Sequence, residues 1–252
     1  MKRSWERKTL LGLPVDLVRR EEILHAVPAL VRSGRSHHFL ALNPIKVMRA
    51  QQETELCEGI RQAAIVYPDA VGISWALRVL YGERIEVLPG CELMVDLLRL
   101  ADRDRMRVAL VGARPDVLAR MRARIASEWP GLLLVAANDG YFRDAERADV
   151  IRRLLDARPD LLLVAMGAHR QETFVRAVEQ VGVVPVIVTV GGGFDAFVGA
   201  VPRPPRWLLR LRLEWLYRLV RQPFRAPRML ALPRFACRVL RLRYASGSPR
   251  AS

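Results

Sequence analysis

Residues 161–172 read LLLVAMGAHRQE: an apolar run, a glycine, and then a polar turn that can open a helix. A run this short, without polar alternation, suits a strand buried on both faces of a parallel sheet. Working outward, the same texture recurs as HFLAL at 38–42, AAIVY at 63–67, VALV at 108–111, LLLVA at 132–136 and VIVTV at 186–190. The stretches between these runs have helical texture. Pro115-Asp116 opens one of them, because proline at the first helical position gives up no hydrogen bond. Pro44, directly after Asn43, opens another. This alternation predicts an α/β fold: a Rossmann-like parallel sheet with helices on both faces.

Near Val201 the texture changes. Pro202, Pro204 and Pro205 interrupt the chain. Beyond them Arg206, Arg210, Glu214, Arg218 and Arg221 fall on one helical face, and Leu208, Leu209, Leu213, Trp215, Leu216 and Leu219 spread over the other side. Arg234, Arg238 and Arg241 form a second stripe. The chain carries a net charge of +15, and residues 201–252 hold 13 arginines, no lysine and one acid, Glu214. The division is therefore an α/β domain, 1–200, and a C-terminal basic amphipathic helical appendage, 201–252. Arginine opposite an apolar face fits an anionic membrane surface. It fits nucleic acid less well, where aromatic interleaving or a helix-turn-helix is the usual sign, so no nucleic-acid partner is expected.

The three cysteines, Cys57, Cys91 and Cys237, are far apart and form no CxxC pair, which points to a reducing, cytoplasmic setting. The charged start, residues 1–8, leads to no secretory leader, and no apolar run is long enough to span a bilayer. The expected location is the cytoplasm, peripherally attached to the inner face of the cell membrane. Homo-oligomerisation is left open.

In open α/β sheets, ligands bind beyond the carboxyl ends of the strands. Those ends carry Asn43, Asp69, Asn138-Asp139, His169-Arg170-Gln171-Glu172 and Asp195. One polar residue at a strand end is usually a helix cap; five on one rim indicate a site. There is no G-x-G-x-x-G and no Walker A sequence, which disfavours a dinucleotide oxidoreductase. Asp102-Arg103-Asp104 spells DxD but precedes a strand and reads as a solvated turn. His37-His38 lacks a third ligand nearby. No metal site is expected.

Several blocks, in order, resemble the WecG/TagA/CpsF glycosyltransferases (family 26) from about residue 39 to 229. They are Asn43-Pro44 with Val47 and Ala50; Tyr67-Pro68-Asp69-Ala70-Val71-Gly72; Asn138-Asp139-Gly140-Tyr141-Phe142; and Gly167-Ala168-His169-Arg170-Gln171-Glu172. Phe194-Asp195 with its flanking glycines follows, then Arg203-Pro204-Pro205-Arg206-Trp207 and Leu213-Glu214-Trp215-Leu216-Tyr217-Arg218-Leu219. The resemblance implies an inverting, metal-independent transfer of an N-acetylmannosamine-type sugar, its uronic acid or a related hexose. The donor is a UDP-sugar, a co-substrate and not a cofactor. The acceptor is an undecaprenyl-diphosphate-linked saccharide in cell-surface polysaccharide synthesis. It places the catalytic aspartate at Asp69. The sugar pocket falls at Asn43 and Gln171, uracil at Tyr141 and Asp195, and the diphosphate at Arg218, Arg225 and Arg228.

The chain departs from the family pattern at Pro68 and Ala70, which flank Asp69, and at His169-Arg170, which replaces proline-lysine. Ala41 stands where a serine or threonine is frequent. Val87 stands where the family has an arginine, with Arg84 the nearest substitute. These changes leave the exact donor sugar open. The competing reading is a degenerate homologue: an α/β protein that binds nucleic acid or phosphate without transferase activity.

Overall fold

The computed structural model describes residues 5–200 and 230–245, apart from the side chains of Ala168 and His169. All six apolar runs are strands: β3 (His37–Leu42), β4 (Ile65–Pro68), β5 (Arg107–Gly112), β6 (Leu133–Asn138), β7 (Leu161–Ala165) and β8 (Val186–Thr189). They form one parallel sheet in the order β4-β3-β8-β7-β5-β6. Two further strands, β1 (Arg7–Leu10) and β2 (Leu13–Asp16), make an antiparallel hairpin that the sequence reading did not anticipate.

The runs are apolar because both faces are covered, except at the edge strand β6, whose Leu133 is exposed and whose other residues are half-buried. On one face Phe39, Ile65, Val108, Leu110, Leu163 and Val188 pack with helices α1 (Arg20–Val31), α5 (Gly90–Arg103), α6 (Pro115–Glu128) and the short α9 (Gly193–Phe197). On the other, Leu40, Leu42 and Val66 pack with α2 (Pro44–Ala50), α3 (Thr54–Gln62) and α4 (Val71–Tyr81). Further along that face Ala109, Val111, Leu162 and Ile187 pack with α7 (Arg147–Asp156) and α8 (Ala168–Val181). Successive strand residues point to opposite faces, so a two-sided core requires an unbroken apolar run. The layered α/β expectation holds, and Pro44 and Pro115 each sit in the first turn of a helix as read.

The hairpin protects an exposed sheet edge, which is otherwise a template for unwanted pairing. Asp16 on β2 is fully buried and accepts the amide of Val66 on β4 at 2.7 Å. Arg7 grips Asp16 through Nε and Nη2 at 2.7 and 2.6 Å, and Nη2 also reaches the Ala64 carbonyl at 3.1 Å. Pro68, unable to donate to a ladder, is tolerated as the last residue of this edge strand.

Of residues 201–252, the structure describes helix α10 (Ala231–Ala245). The stripe Arg234, Arg238 and Arg241 is exposed on one side of the helix. The opposite side inserts Phe235 and Val239 into the core shared with α2 and α4. The stretch between α9 and α10 that carries Arg218, Arg225 and Arg228 lies outside the described residues.

Candidate active site

The chain reaches Asp69 directly after β4, and its backbone amide donates to the Leu42 carbonyl at 2.9 Å, so the ends of β3 and β4 are tied together. The carboxylate is half-buried, and its Oδ1 accepts the amide of Gly90, the first residue of α5, at 2.7 Å. A fixed, partly desolvated carboxylate at a strand end can take a proton. Ala70 starts α4 without a side-chain cap. Gly72, one turn into that helix, is pressed against α2: a Cβ there would lie 2.6 Å from Pro44 Cγ. Only glycine lets the two helix starts approach so closely, and that approach sets Asn43 beside the Asp69 turn.

Asn43 caps α2, its Oδ1 accepting the Lys46 amide at 3.0 Å, which leaves the amide nitrogen as the group it can offer a ligand. Gln171, in the first turn of α8, is 1% exposed. Its Oε1 accepts the Gly191 amide at 3.1 Å and its Nε2 donates to Glu172 Oε1 at 3.1 Å. Gln171 thus braces the turn after β8 against α8.

Behind these residues lies a charged cluster not anticipated from sequence. Lys46 and Glu172 are buried and meet at 2.9 Å. His38 Nε2 lies 3.6 Å from Glu172 Oε2 and 3.4 Å from Thr189 Oγ1. Burial pushes the Glu172 carboxyl up, but the Lys46 ammonium, His38 and the hydrogen bonds from Lys46 and Gln171 outweigh it and hold the group below its ordinary value. Burial drives His38 down to about 4, with Glu172 opposing and Lys46 assisting.

Tyr141 stands further along the rim, after β6. It is 66% exposed and lines an open cleft of about 420 Å³ with Asn138, Asp139, Phe142, Glu146 and Arg153. Asp139 Oδ1 shapes this turn by accepting the Tyr141 amide at 2.8 Å. Asp195 lies in α9 after β8, three strand positions from β6, or about 14 Å at the usual inter-strand spacing. Asp69 and Asn43 follow the neighbouring strands β4 and β3, and Asp195 and Gln171 follow β8 and β7 next to them. The two residues assigned to uracil follow strands well apart on it.

The DxD aspartates are structural. Asp102 Oδ1 accepts the Gly131 amide at 2.6 Å, and Asp104 pairs with Arg103 at 2.7 Å. Both precede β5, at the opposite end of the sheet from Asp69. Arg84, three residues before Val87, is exposed in the loop between α4 and α5. Among the described residues no group of three His, Cys, Asp or Glu is arranged to hold a metal ion.

Residues 8–248 match the family described as Glycosyl transferase WecG/TagA/CpsF. A curated relative in Bacillus subtilis (strain 168), the N-acetylglucosaminyldiphosphoundecaprenol N-acetyl-beta-D-mannosaminyltransferase, is 32% identical over 200 residues, covering 79% of this chain and 77% of the relative. With the doubly covered parallel sheet and a carboxylate fixed on its carboxyl rim, the match shows that the chain belongs to the WecG/TagA/CpsF family of glycosyltransferases.

Proposed function

We propose that this glycosyltransferase moves an N-acetylmannosamine-type sugar from a UDP-sugar to an undecaprenyl-diphosphate-linked amino sugar, with Asp69 as the base. The observation that carries the reading is the Asp69 carboxylate, half-buried at the end of β4 and held by the Gly90 amide at 2.7 Å. The name of the Bacillus subtilis relative supports the choice of sugars.

In the proposed step a hydroxyl oxygen of the acceptor attacks the anomeric carbon from the side opposite the diphosphate. The bond from that carbon to the diphosphate oxygen breaks, and UDP leaves with the electron pair. Asp69 takes the hydroxyl proton as the new bond forms, which inverts the anomeric centre. Charge then grows on the departing diphosphate and needs a preorganised counter-charge. Arg218, Arg225 and Arg228 are assigned that task, since a guanidinium fork matches phosphate oxygens without a metal.

The basic appendage is proposed to hold the enzyme on the anionic inner face of the membrane, where a lipid-linked acceptor resides. No helix among the described residues is long and apolar enough to cross a bilayer. Incubating the full chain with a panel of UDP-sugars and a lipid-diphosphate amino sugar tests the proposal by product mass. One added N-acetylhexosamine from UDP-N-acetylmannosamine is expected. A product from a different donor alone would replace the sugar assignment, and no lipid-linked product from any donor would overturn the acceptor.

A further inference from the structure

We propose that the Tyr67 hydroxyl is a substrate-contacting group of this site, donating a hydrogen bond to an oxygen substituent of the sugar that docks beside Asp69. The inference rests on the transferase reading above and adds a residue to it.

Tyr67 is the penultimate residue of β4 and is fully buried. Its hydroxyl oxygen has no hydrogen-bond partner among the described residues. A buried hydroxyl left unbonded is destabilising, and native proteins keep few of them. Its position suggests a use. A methyl group built on Gly90 would lie 3.3 Å from the Tyr67 hydroxyl, 3.6 Å from Asp69 Oδ1 and 3.8 Å from Ala41 Cβ. Three side chains from two adjacent strands and the turn after them thus crowd in on Gly90, where any side chain would press on the Tyr67 hydroxyl.

Of these three, Asp69 Oδ1 is an acceptor already held by the Gly90 amide. Ala41, opposite Tyr67 in the β3–β4 register, brings only a methyl. The Tyr67 hydroxyl is the neutral donor. Burial raises its pKa, and the nearby Asp69 charge adds to the effect, so it keeps its proton across the working pH range. Glu172 does not satisfy it: its Oε1 accepts from Lys46 and Gln171, and its Oε2 is buried without forming a hydrogen bond to the Tyr67 hydroxyl.

If the residue were only packing, phenylalanine would serve equally well or better. Tyr67→Phe in the full chain therefore separates the two roles. The expected result is an unchanged or higher melting temperature together with a fall of about 10- to 100-fold in kcat/KM, the range for losing one hydrogen bond made to substrate. A panel of monodeoxy donor and acceptor sugars then identifies the contacted oxygen. The wild-type protein should discriminate against one analogue, and Tyr67→Phe should treat that analogue and its parent alike. Wild-type kcat/KM in Tyr67→Phe, a uniform loss on every analogue, or a loss that tracks a lower melting temperature would each overturn the assignment. Asp69→Asn run in parallel keeps the failures apart. If it retains turnover the site reading itself is wrong; if it alone loses turnover, only the Tyr67 assignment is wrong.

Discussion

Lys46 Nζ lies 2.9 Å from Glu172 Oε1, and both side chains are only 5% exposed. The pair joins the first turn of α2, which presents Asn43, to the first turn of α8, which presents Gln171. Removing one partner from a buried pair strands the other charge, at a cost of about 3–5 kcal/mol. Lys46→Met should lower unfolding stability by that order in urea titration. The double variant Lys46→Met with Glu172→Leu should lose less than the sum of the singles, because no charge is left unpaired. A loss below about 0.5 kcal/mol for Lys46→Met, typical of a surface change, would show that the pair is not buried in solution.

His38 gives the cluster a pH signature. Its folded pKa is lowered from 6.5 to about 4 by burial, while the unfolded chain protonates near 6.5. Between those values the unfolded state binds the extra proton, so stability is complete above pH 6.5 and declines as pH falls toward 4. The slope from this one group is about 1.4 kcal/mol per pH unit. His38→Gln should be flatter than wild type between pH 6.5 and 5, read as urea midpoints at several pH values. Parallel curves would mean that His38 is not buried in its neutral form.

The sheet was legible because two-sided burial writes an unbroken apolar run into every strand but the half-buried edge strand β6, from Phe39-Leu40 to Ile187-Val188. The β1–β2 hairpin was not, since RKTL and LPVD are short and partly polar and owe their strand state to pairing and to Asp16. The strand-end rule pointed to Asn43, Asp69 and Gln171 as rim residues, and the structure places them directly after β3, after β4 and in the helix after β7. The rule could not show that Gln171 is turned inward, or that Lys46 is buried, because their partners Gly191 and Glu172 are remote in sequence. Tyr67 read as one more core residue in an apolar run. Its unbonded hydroxyl becomes visible only when the chain returns at Gly90.

Helix α10 is part of the core as well as a basic surface. Phe235 is 2% exposed and Val239 fully buried against α2 and α4. Phe235→Ala should cost about 3–5 kcal/mol, the usual range for a buried aromatic. A chain ending at Ala200 should unfold at lower urea than the full chain and should lose binding to anionic liposomes. Equal urea midpoints would show that α10 docks too weakly to matter.

The proposed mechanism uses no metal, and the DxD aspartates Asp102 and Asp104 are engaged by the Gly131 amide and Arg103 at the far end of the sheet. Excess EDTA should leave the transfer rate within about twofold, since arginine forks can stabilise the leaving diphosphate. Loss of activity that Mg²⁺ or Mn²⁺ restores would contradict the proposed leaving-group chemistry.

The most direct test of the account is the turnover of Asp69→Asn on UDP-N-acetylmannosamine and a lipid-diphosphate amino sugar, measured beside its affinity for UDP. The asparagine can still accept the Gly90 hydrogen bond seen at 2.7 Å, so the turn should hold while the base is lost. Turnover should fall by about 10²–10⁴-fold, the span general-base catalysis supplies, with UDP affinity unchanged. Near-normal turnover in Asp69→Asn would contradict the assignment of Asp69 as the base.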